Sequence, residues 1–219
     1  MLPRAAAFLA VVLLTATAAV AQDPVVASHT APPPAELEDP IEALLATGGQ
    51  HVTIGDHQLD FWWVKSMPLR SGSTDKDWSA VEEGTLVGAV RLSAQHNDIR
   101  GKPLKAGIYT LRYALQPENG NHLGVSPYRE FLLFGPVQAD SSPSAIGHDA
   151  SVELGKAATG TGHPGSWSID PPTASGPPGR VYKNEAGLRG VVFQVPISRD
   201  GKDLGLLTFG LIVAGEVQP

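Results

Sequence analysis

The chain has no cysteine. That excludes a disulfide staple, a thiolate nucleophile or metal ligand, and a lipid anchored through a cysteine behind a leader. Charge is also sparse, at 17% Asp, Glu, Lys and Arg, and the 22 acids are scattered among 16 bases rather than run together. A net charge of −6 with no basic patch argues against nucleic acid or an anionic membrane as partner. Past residue 20 no apolar run approaches the ~20 residues a membrane helix needs. Catalytic signatures are missing too. There is no G-x-x-x-x-G-K-[ST] phosphate cradle and no H-x-H, H-x-x-x-H or H-E-x-x-H pair of metal-ligating histidines. Gly124-Val125-Ser126-Pro127 fails the G-x-S-x-G nucleophile turn at its last position.

What is present begins with a leader. Arg4 supplies positive charge, Ala5 to Val20 is apolar apart from Thr15 and Thr17, and Ala19-Val20-Ala21 offers the small-x-small pattern of a cleavage site. Residues 1–21 therefore read as a secretory signal cut before Gln22. The product is periplasmic or extracellular, with no membrane insertion once the signal is gone. Removing 21 of 219 residues leaves 198, and losing Arg4 leaves 15 basic against 22 acidic groups, a net of −7. A chain of that size can bury a core without disulfides.

Residues 22–38 are Pro-rich and read as an extended, mobile tether, with 39–219 as one domain. Asp39-Pro40 opens a short helix with Ile41, Leu44 and Leu45 on its inner side, ended by Gly48-Gly49. From His51 the apolar period becomes two. Leu59, Phe61 and Trp63 alternate, followed by strands at 85–93, 108–115 and 129–134. At the C-terminus Val191, Phe193, Val195 and Ile197 lead through Asp200-Gly201 into Leu207, Phe209, Leu211 and Val213, a hairpin. Asp149 starts a second helix through Ala157, with Val152 and Leu154 as its inner face, and 159–179 reads as loop. About eight strands with no βαβ alternation predict a mainly β chain. The expected form is an antiparallel β-sandwich, jelly-roll or immunoglobulin-like, with one or two short helices.

The stretch Gln116–Tyr128 is far longer than a hairpin turn needs and gathers Asn119, Asn121, His122, Ser126 and Tyr128 around two glycines. Rigid scaffolds carry function on such loops, so Asn119, Asn121, His122 and Tyr128 are ligand-binding candidates. The competing reading is a self-packed connection. Adjacent Trp62 and Trp63 must point to opposite faces of their strand. Trp62 is thus either a surface indole for ligand stacking or a residue buried beneath the N-terminal helix, while Trp78 and Trp167 fall in polar loops. A metal would have to be assembled from His96, His122, His148 and His163, with Asp98 or Glu130, and such donors suit zinc or copper. The bland alternative is a set of polar loop histidines, with no cofactor at all.

Lys102-Pro-Leu-Lys-Ala-Gly-Ile-Tyr-Thr-Leu-Arg112 resembles the turn-and-strand of exported bacterial β-sandwich proteins of the domain-of-unknown-function type. Asn119–Phe131 resembles a segment of uncharacterised secreted proteins from environmental bacteria, and the likeness covers about residues 55–135. It implies fold and compartment, and brings no activity or site residue. The expectation is an exported, non-enzymatic binding or accessory module for a small molecule, glycan or envelope protein. The alternatives are a metal-assisted hydrolase built from loop histidines and carboxylates, or a structural envelope partner.

Overall fold

The structure, a computed structural model, describes residues 22–118, 128–170 and 176–215. It is mainly β. Ten strands form one continuous ladder that curls into a half-barrel. In spatial order they are β1 (Val25–His29), β2 (Gly49–Ile54), β3 (His57–Trp63), β5 (Leu86–Leu92), β8 (Gly107–Leu115), β9 (Glu130–Pro136), β10 (Ser166–Asp170), β13 (Lys202–Ala214), β12 (Arg189–Arg199) and β11 (Val181–Lys183). All these pairs are antiparallel. The short β4 (Met67–Pro68) leaves the end of β3 and pairs in parallel with β12 at Ile197, tying one side of the curl to the other. β6 (His96–Asn97) and β7 (Pro103–Leu104) make a separate small hairpin.

The expected pair of sheets is thus one curled sheet, and the strands outnumber the eight expected. β10 makes the difference, because it pairs with β9 on one side and β13 on the other. It falls inside the stretch expected as loop. Its Ser-Trp-Ser-Ile-Asp sequence does alternate, but the face opposite Trp167 and Ile169 carries Ser166, Ser168 and Asp170. That polar face is buried as well, so the apolar signal is halved. Part of the expected tether is likewise structured. Val25–His29 pairs along β2, Asp23 meets Arg189 at 2.9 Å, and Pro34 and Leu37 are buried.

The concave face is filled by aromatic side chains from both arms of the curl. Phe61 and Trp63 on β3 meet Phe193 on β12, each with ring centroids 4.9 Å apart, and Trp63 meets Phe209 on β13 at 5.4 Å. Phe193 and Phe209 are directly paired across the hairpin, as the alternation predicts. At its tip Asp200 (φ 50°) and Gly201 (φ 76°) take the left-handed conformations of a tight two-residue turn. Trp78 and Trp167, expected in polar loops, are both buried. Trp78 stacks on Tyr113 at 5.1 Å, and Trp167 packs against Phe134 at 4.6 Å. One apolar cluster runs from Leu37 to Val213.

The helices are α1 (Asp39–Glu42) and α2 (Gly147–Thr159). α2 lies against β9 and β8 on the convex side. Its buried positions are Ser151, Gly155 and Ala158, not the expected Val152 and Leu154, which are half-buried. Small residues at i, i+4 and i+7 let the helix sit close. A side chain at Gly155 would run into Pro164 at 2.5 Å. No described helix is long and apolar enough to cross a membrane.

Candidate functional site

Trp62 points away from the aromatic core, as the alternation requires, and is only 2% exposed. The cover is the N-terminal segment before α1. Its indole donates to the Ala31 carbonyl at 3.0 Å, and His29 meets the ring edge-on at 5.0 Å. The Arg91 guanidinium lies 5.7 Å above the same ring. A ligand therefore cannot stack directly on Trp62, although Arg91 stands on it.

The three described histidines of the candidate metal set sit apart. His96 is buried on the core side, where its Nε2 accepts from the Trp167 indole at 3.2 Å. Burial, helped by His57, lowers its pKa to about 4, so the ring is neutral at neutral pH. His148 opens α2 and holds Glu83 through Nδ1 at 2.6 Å, the same carboxylate oxygen that accepts the Leu115 amide at 2.9 Å. His163 lies in the exposed turn after α2. Asp98 is consumed by the β6–β7 turn, where Oδ1 accepts the backbone amides of Arg100 and Lys102 at 2.9 and 2.8 Å. Among the described residues no three His, Asp or Glu side chains converge as a metal site. His122, Asn119 and Asn121 lie outside the described residues.

The described base of the long loop is clamped. Gln116 and Arg129 bond through their backbones at 2.7 Å. Arg129 also reaches the Gln116 carbonyl at 3.0 Å and the Glu118 carboxylate at 2.6 Å. Beneath it the Tyr113 pKa is pushed up by burial and by the Glu130 and Glu83 carboxylates, keeping a neutral phenol there. Tyr128 is half-buried and near Tyr182, whose pKa is raised mainly by burial and by the Asp170 carboxylate.

The open concavity lies at the other end of β8. Two shallow clefts, of about 310 and 450 Å³, join through Gly107, Ile108 and Gln138. One runs under the C-terminal end of α2, beside Lys105 and Tyr109. The other passes Arg91 and Ser93 at the end of β5 to reach Glu36. Ile108 and Tyr109 begin β8, while Gln138 follows β9. The strand ends therefore place the groove. Arg91 and Glu36 face each other at 3.8 Å with side chains 44% and 59% exposed, a pair held loosely enough to exchange for a ligand. The Tyr109 hydroxyl donates to the Lys105 carbonyl at 2.9 Å. Burial raises its pKa, so it too stays a phenol. The groove offers an apolar floor, one anion, two cations and an amide, the mixture that holds a polar chain.

None of the groove residues is in the candidate set from the sequence. They come from positions 36, 91–93, 105–109, 136–138 and 157–160, brought together by strand pairing and by the packing of α2 on β8 and β9. No family model, no curated protein and no solved structure matches the chain.

Proposed function

We propose that the chain is an exported binding or accessory module that takes its ligand in the groove over the ends of β5, β8 and β9. The joined groove carries this reading. Its volume falls within the range of small-ligand sites, and its polar groups stand on the rim of a rigid sheet. The described histidines of the metal set, by contrast, are occupied with local contacts or lie apart. The leader-like residues 1–21 and the likeness of Lys102–Arg112 to exported β-sandwich proteins support a site of action beyond the inner membrane. Opposed aromatic faces on the two arms of the curl suit a sandwich-like relative.

The test is a binding screen on untagged mature protein and on an Arg91→Ala, Gln138→Ala double variant, using neutral and anionic oligosaccharides and short peptides, with metal content measured on the same material. Saturable binding to the parent that weakens at least about tenfold in the variant, with melting unchanged, supports the groove. Binding that is unaffected by the double change removes the groove from the reading. Stoichiometric zinc or copper would replace it with the hydrolase alternative.

A further inference from the structure

On the convex face of β2 and β3, three side chains line up in an order that chemistry uses. His51 and Asp60 are direct cross-strand partners, and His51 Nδ1 lies 2.6 Å from Asp60 Oδ1. A contact that short with a carboxylate places the proton on Nδ1. In the neutral ring Nε2 is then a lone pair, and it faces the Thr53 hydroxyl at 3.2 Å. Hydroxyl, imidazole and carboxylate thus follow one another within hydrogen-bond reach, with the base oriented by the acid. The His51 and Asp60 side chains are 30% and 28% exposed, so a reactant can approach.

The groove lies beside this face. Asp60 is paired across the next strand with Arg91, and Gln58 beside Ser93 through the Ser93 hydroxyl at 2.8 Å. Arg91 and Ser93 both line the groove. Thr53 is two strands from Ser93, about 10 Å at strand spacing. Arg91, across from Asp60, lies over Trp62 on the side away from Thr53.

We propose that Thr53, His51 and Asp60 form an ester-cleaving centre on the convex face of β2 and β3, an activity beyond ligand binding and independent of it. Thr53 Oγ attacks the ester carbonyl carbon, and its proton passes to His51 Nε2. Collapse of the tetrahedral adduct breaks the bond to the alcohol, which leaves with that proton. A water activated by the same nitrogen then releases the acid and restores Thr53, so ester and water give acid and alcohol with no other reactant. Thr53 and His51 are catalytic residues here. Asp60 is a positioning residue that fixes the ring tautomer.

The experiment exposes the folded chain to a fluorophosphonate probe and locates the adduct by peptide mass mapping, in parallel with hydrolysis of a p-nitrophenyl ester. The expected result is an adduct on Thr53 that is lost in Thr53→Val, retained in Thr53→Ser, and slowed about 100-fold in His51→Gln, the scale of a general base. Asp60→Asn keeps the ring contact but reverses its tautomer, so it should slow labelling while leaving the melting temperature in place. An unlabelled Thr53 in the parent overturns the proposal. So does labelling that His51→Gln leaves unchanged, since a purely structural cross-strand pair predicts both.

Discussion

Arg112 grips Asp140 with two parallel hydrogen bonds, Nε to Oδ2 at 2.7 Å and Nη2 to Oδ1 at 2.6 Å, and both side chains are 1% exposed. The remaining guanidinium protons go to the carbonyls of Gly84, Ser144 and Ser142, so all five donors are used. Thr110 adds a hydroxyl to Asp140 Oδ2, and Gly135 has no side chain to collide with it. The pair pins the segment after β9 to the convex face of β8.

Removing one partner should therefore be severe. Asp140→Ala leaves a buried guanidinium without its anion, and the expected loss is about 3–5 kcal/mol of folding free energy. Arg112→Met with Asp140→Leu should recover much of it, because two apolar groups have no unmet charge. Urea unfolding of the single and double variants checks this, and a single variant as stable as the parent would contradict it.

The Phe193–Phe209 pair sets the second prediction. Both rings are buried and meet at 6.0 Å within the aromatic cluster. Truncating either to Ala should cost about 3–5 kcal/mol. Denaturant melts would read this directly, and losses below about 1 kcal/mol at both positions are the scale of surface changes.

His96 gives the fold an acid-sensitive point. Its folded pKa of about 4 lies below the ordinary 6.5, so the unfolded chain takes up a proton first as pH falls. Stability from this group is full above about pH 6.5 and is lost between there and pH 4, by about 3 kcal/mol in all. His96→Gln keeps an acceptor for the Trp167 indole without a titrating ring. Chemical denaturation from pH 7 to pH 4 should show a shallower decline for this variant than for the parent.

Processing can be read from the N-terminus of secreted material, which is expected to be Gln22. Protein that keeps Met1 and fractionates with membranes would overturn the export proposal.

The C-terminal hairpin was readable because its alternation is long and its turn residues are specific. β8 was readable for the same first reason. β1 was not, since Val25–His29 is an edge strand whose pairing partner β2 lies twenty or more residues away. Trp167 was misplaced because the Ser, Gly and Pro around it describe a loop, while pairing to β9 and β13 makes it a strand. The buried bond between Arg112 and Asp140 and the Thr53–His51–Asp60 array share this cause. Each joins residues on different elements, and spacing along the chain does not encode that.

The last described strand along the chain, β13, is not at an edge. β13 sits between β10 and β12, and the borders of those two strands that face it have nothing to pair with until residues 202–214 have left the ribosome. The half-barrel is thus locked by residues 202–214. A chain cut short before Lys202 keeps two raw strand borders facing each other across an empty slot, open to the same strand from another copy. Synthesis through β13 is therefore a condition of a fully paired sheet.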